Sequence, residues 1–144
     1  MKTSILRSSL TALACTAILA LATPSIAATV NLKADLKAAS EVPPTDSKGS
    51  GSVTATYDTA SKKLSWKGTV SGLSGPATAA HFHAGEPGKN GGVVVPIAGA
   101  DKGSFEGSAT LTDEQAADLM AGKWYVNVHT AANKAGEVRG QVTK

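Results

Sequence analysis

Cysteine is nearly missing from this chain: its 144 residues include one, Cys15. Aromatic side chains are scarce, with two each of Trp, Tyr and Phe. Neither sign of charge dominates, since 14 Lys and Arg face 11 Asp and Glu for a formal charge of +3. No apolar run reaches the roughly 20 residues that a membrane-spanning helix needs. Each shortage removes a class of answer. A disulfide scaffold, a cysteine nucleophile and a thiolate metal site are excluded once Cys15 is accounted for. The absence of a Lys/Arg cluster and of interleaved aromatics argues against nucleic-acid binding. What remains is a chain of one-domain length with 17% charged residues and 15 glycines, a composition that folds and turns often.

The main apolar segment lies near the N-terminus. Lys2 and Arg7 precede a run from Leu10 to Ala22, broken by Thr11 and Thr16, and Ser25-Ile26-Ala27 puts small residues before Ala28. That order of basic, apolar and small residues predicts a secretory signal peptide over 1–27. Cleavage removes Cys15 and leaves 28–144 as one thiol-free domain, exported to the periplasm or the cell exterior with no membrane span. Its stability must come from packing, and a chain of this size buries roughly two-thirds of its unfolded surface.

The dominant period in 28–144 is two. Val30, Leu32, Ala34, Leu36 and Ala38 alternate with Asn31, Lys33, Asp35 and Lys37, the pattern of a strand with one wet face. Pro43, Pro44, Gly49 and Gly51 mark 41–52 as loop. Val53, Ala55 and Tyr57 predict a second strand, and Leu64, Trp66 and Val70 a third, with Gly68 as a candidate bulge. Strands are also expected over 77–83, 93–97, 103–111, 124–130 and 137–142. One helix is predicted over 112–121. Thr112 and Gln115 have capping-box spacing, Asp113 and Glu114 suit the positive end of the helix dipole, and Gly122 suits a left-handed stop. The fold class is therefore all-β, an antiparallel sandwich or Greek-key barrel of about seven or eight short strands with one short helix covering an end. Trp66 and Trp124 are assigned to its core.

The residues able to carry chemistry are few. His81 and His83 form His-Phe-His in one expected strand. Two residues apart in a strand means the same face at about 6.6 Å, close enough for both imidazoles to lean onto one ion. His129, in Val-Asn-Val-His-Thr, ends another strand and can approach the pair at one rim. Three neutral imidazoles suit copper first and zinc second, and leave a coordination position open. The same histidines could instead be hydrogen-bonded strand residues without a metal. The turn from Gly85 to Gly92 lacks phosphate-loop spacing, and Glu86 within it is expected to be solvated. No Ser stands on a nucleophile elbow, so no catalytic residue is assigned. Arg139 is expected on the polar face of the last strand, paired with a carboxylate or lining the histidine rim.

Several of these segments resemble a known family. Leu111-Thr112, Gln115, Leu119, Gly122, then Tyr125-Val126-Asn127-Val128-His129-Thr130, then Gly136-Glu137-Val138-Arg139-Gly140-Gln141 resemble the signature of the CHRD domain, first described in chordin. Ala80-His81-Phe82-His83-Ala84-Gly85 and Gly88 fit it too, so the resemblance covers about residues 30–142. It implies an extracytoplasmic β-rich domain and no particular activity. The histidines also resemble the copper site of Cu/Zn superoxide dismutase, with His81, His83 and His129 as copper ligands and Arg139 in place of the arginine that guides superoxide. A bridging histidine, the zinc ligands and the disulfide are missing, and the spacing from His129 to Arg139 differs. That resemblance implies at most a copper-only site.

Three functions follow as expectations. The first is an exported binding module whose three histidines hold copper for buffering or tolerance. The second is a copper-only enzyme of the dismutase type, with Arg139 steering the anion. The third is an interaction domain that meets a protein partner through an edge strand or loop. Binding is favoured over catalysis.

Overall fold

The computed structural model describes residues 27–144. The expected signal peptide, with Cys15, lies outside the described residues except for Ala27. Eight antiparallel strands form one sheet: β1 (Thr29–Lys37), β2 (Ser50–Asp58), β3 (Lys63–Ser71), β4 (Ala77–Ala84), β5 (Val93–Ile97), β6 (Ser104–Thr110), β7 (Trp124–Thr130) and β8 (Val138–Gln141). Their order is β5-β4-β7-β8-β1-β2-β3-β6, and the sheet curls until it is nearly closed. The seam lies between β5 and β6, which follow one another in the chain but share no ladder. Pro96 in β5 withholds one backbone donor, as edge strands tolerate. The expected all-β architecture is the observed one. Among the described residues no helix is long and apolar enough to cross a membrane.

The period-two pattern fixes which side of each strand faces inward. In β1, Leu32, Ala34 and Leu36 are buried and their neighbours exposed. In β2, Val53, Ala55 and Tyr57 are buried while Ser52, Thr54 and Thr56 are exposed. The core is built around Trp124, Phe82 and Trp66, with Phe82 edge-on to Trp66 at 5.2 Å and tilted to Trp124 at 5.9 Å. α1 (Asp113–Met120) has the expected capping box between Thr112 and Gln115, and its Ala116 and Leu119 join the core.

Gly68 is not a bulge. β3 pairs without a register break with both β2 and β6. Gly68 stands opposite Phe105, and Gly107 stands opposite Trp66. A Cβ on Gly68 would meet the Phe105 ring at 2.5 Å, and one on Gly107 would meet the Trp66 ring at 2.6 Å. Each glycine leaves room for a ring on the neighbouring strand to lie across it. The bulges fall in β4, between Ala77 and Ala79 and between Phe82 and His83. There they locally increase twist and re-aim side chains.

Candidate metal centre

β4 and β7 lie side by side, and their register sets the site. His81 pairs with Asn127, His83 with Tyr125, and Ala79 with His129. Phe82 and Val128 point into the core at 0% exposure, so the histidines stand on the outer face. His129 is thus the diagonal neighbour of His81. Ring centroids are 5.1 Å apart for His81 and His129, 5.5 Å for His81 and His83, and 6.3 Å for His83 and His129. One nitrogen from each ring lies within 4.8 Å of the others. Metal–nitrogen bonds of about 2.0–2.1 Å put ligand nitrogens about 3–4 Å apart, so closure needs ring shifts on the order of 1 Å.

Backbone carbonyls decide which nitrogen each ring offers. His83 Nδ1 lies 3.0 Å from the Gly91 carbonyl, and His129 Nδ1 lies 3.0 Å from the Lys134 carbonyl. A carbonyl only accepts, so both Nδ1 atoms carry the proton and both Nε2 atoms keep a lone pair. His81 Nδ1 then donates to His129 Nε2 at 3.2 Å. His83 is 8% exposed, and its Nε2 is buried with no hydrogen-bond partner among the described residues. Burial, then the neighbouring His129 and His83, lowers the pKa of His81. Burial also lowers that of His129, against the hydrogen bond to Lys134 and with help from His83. Both rings are therefore biased toward the neutral form that binds metals.

Behind the rings lies a polar layer between the barrel wall and two loops. Tyr125 stacks on His83 at 4.8 Å with an interplanar angle of 8°, and the Arg139 guanidinium sits 3.4 Å from the Tyr125 ring centroid. Because β7 lies between β4 and β8, the tyrosine is held between histidine and arginine. Arg139 lies on the expected face of β8 but is 2% exposed. It donates to the Lys89 carbonyl at 2.7 Å and to Asn90 Oδ1 at 3.0 Å. Lys62 and Asp113 form the one ion pair among the described residues, so Arg139 is not in salt-bridge contact with a carboxylate. The buried carboxylate of Glu41, 5% exposed, lies within its electrostatic reach. Burial raises the Glu41 pKa, against Arg139 and against hydrogen bonds from Val42 and Asn127. Glu86 is exposed, as expected.

Glu137, which sequence reasoning passed over, is 0% exposed. Its carboxylate accepts from the hydroxyls of Ser47, Ser74 and Thr130, from the Ser74 N–H and from Asn133 Nδ2. Burial opposes its charge, but these donors outweigh burial and bring the pKa down to about 2. Tyr125, Asn127 and Gly91 were missed in the same way. For Tyr125 and Asn127 the signal is weak, a polar residue in a strand whose wet face is later covered by loops, and Gly91 and Glu137 lie outside the strands altogether.

A groove of about 840 Å³ lies elsewhere, over β3 and β6 beside Lys67, Phe105 and Glu106. A convergence of ligand atoms, rather than depth, marks the histidine site. Among known proteins, the family model described as the CHRD domain matches residues 32–142. A search of the curated proteins finds no significant match.

Proposed function

The chain belongs to the CHRD domain family, and from that premise we propose that it is an exported metal-binding module in which His81, His83 and His129 hold one copper ion. The observation that carries this reading is the buried, partnerless Nε2 of His83, placed in a group of three ring nitrogens within 4.8 Å of one another. A buried polar atom without a partner costs about 1–3 kcal/mol, and a metal bond would remove that penalty. The donor set is three imidazoles with no thiolate or carboxylate, which suits copper ahead of zinc on intrinsic affinity. The carbonyls that hold His83 and His129 supply the outer support usual for metal-bound histidines. Export rests on the signal pattern of residues 1–27 and suits a domain of extracellular type.

The role this supports is copper buffering or tolerance. Arg139, buried beneath loop 85–92, is better suited to holding that loop than to guiding an anion from solvent, which weighs against the dismutase reading. A second reading, partner docking, draws on Val93, 55% exposed at the start of edge strand β5 and paired with His83. Copper titration of the mature domain tests the metal reading. One equivalent bound tighter than micromolar, lost in His83→Ala, supports it. Binding weaker than micromolar, or unchanged in His83→Ala, overturns it.

A further inference from the structure

Two buried charges, one in β8 and one in the residue just before it, stand close to the histidines without touching them. Glu137 and Arg139 flank Val138, whose side chain is in the core, so both project to the outer face. Each is tied to a different segment. Arg139 holds residues 86–90 through the Lys89 carbonyl and Asn90 Oδ1. The next residue, Gly91, supplies the carbonyl that binds His83 Nδ1. The Gly91 N–H also donates to the Tyr125 hydroxyl at 3.2 Å, and Tyr125 is the ring between Arg139 and His83. Glu137 holds the turn after β7, through Thr130 Oγ1 and through Asn133 Nδ2 at 3.1 Å. The following residue, Lys134, supplies the carbonyl that binds His129 Nδ1.

The geometry points to a paired positioning device. We propose that Glu137 orients His129 through the turn at 131–136, and that Arg139 orients His83 through loop 85–92 and the Tyr125 ring. Neither residue is a ligand. Each acts through a backbone carbonyl that fixes the proton on Nδ1 and leaves Nε2 unprotonated toward the site. The buried charges thereby serve more than the fold, since each governs one imidazole and leaves the other alone. The consequence for metal affinity rests on the copper reading above. The orientation itself belongs to the metal-free protein.

The test is therefore made first without metal, by nitrogen-15 NMR of the histidine rings at a pH where they are neutral. The wild type shows the Nδ1–H tautomer at both His83 and His129. Glu137→Gln and the milder Asn133→Ala shift His129 to a tautomer mixture and leave His83 unchanged. Arg139→Lys and the milder Asn90→Ala do the reverse. Asn90 and Asn133 lie in solvent-reached loops, so their variants carry the test should the Glu137 or Arg139 variant fail to fold. Copper affinity then falls about 10–100-fold in each variant, the range seen when a ligand loses its supporting hydrogen bond. If both rings keep the Nδ1–H tautomer in every variant, or change together in each, the positioning role is wrong. A wild type that binds no copper contradicts the metal reading, while the tautomer pattern still decides this one.

Discussion

His81 Nδ1 lies 3.2 Å from His129 Nε2, although 48 residues separate the two in the chain. The register of β4 on β7 brings them together, with His129 opposite Ala79 and therefore diagonal to His81. Lys134 claims the other nitrogen of His129, so the contact is made by a lone pair. A metal ion would compete with the His81 proton for that same lone pair. His83 completes the group from the next same-face position of β4.

The first prediction concerns the ligands themselves. Replacing any one of His81, His83 or His129 by alanine should weaken copper binding by more than the 10–100-fold typical of a lost supporting hydrogen bond. Isothermal titration of the three variants checks it. Equal affinity in His129→Ala would remove that residue from the site.

The second concerns acid. The carboxyl of Glu137 titrates at about 2 in the folded protein, against an ordinary value of 4.5. A depressed folded pKa contributes stability that is complete above the unfolded value and lost as pH falls toward the folded one. Thermal melting should thus change little from this group between neutrality and pH 5, then drop between about pH 4.5 and 2. Glu137→Gln should melt lower at neutral pH and show a shallower acid limb. Parallel limbs for the two proteins would remove Glu137 as the source.

The third concerns Gly91. A Cβ there would overlap the Ala84 carbonyl, so Gly91→Ala must displace loop 85–92. Overpacking of this kind costs about 1–3 kcal/mol. The same shift moves the carbonyl that holds His83, so stability in urea and copper affinity should fall together. An unchanged affinity in the folded variant would show that the carbonyl is dispensable.

The fourth is a control. Thr112→Ala removes the hydroxyl that accepts from the Gln115 N–H at the start of α1. Loss of such a cap costs about 1 kcal/mol. Urea unfolding should register that loss while copper affinity stays at the wild-type value, because α1 contributes nothing to the histidine face.

Much of this fold was legible because strand alternation is a direct record of which side is wet. Leu32, Ala34 and Leu36, and Val53, Ala55 and Tyr57, are buried as their spacing required. The helix was legible from its capping residues. The histidines stood out because His-x-His allows one geometry in a strand. The polar layer was not legible, for the same reason that the strands were. Alternation assigns Arg139 and Glu137 to the wet face, and nothing local says that segments 38–49 and 85–92 fold back over it. Gly68 misled because its meaning lies in Phe105 on another strand.

Counting the imidazoles on bound copper is the decisive check on this site. Pulsed EPR of the mature domain with one equivalent of Cu(II) should report three histidine nitrogens in the coordination sphere, falling to two in His83→Ala. A spectrum with one or none, or one that His83→Ala leaves unchanged, would contradict a copper site built from His81, His83 and His129.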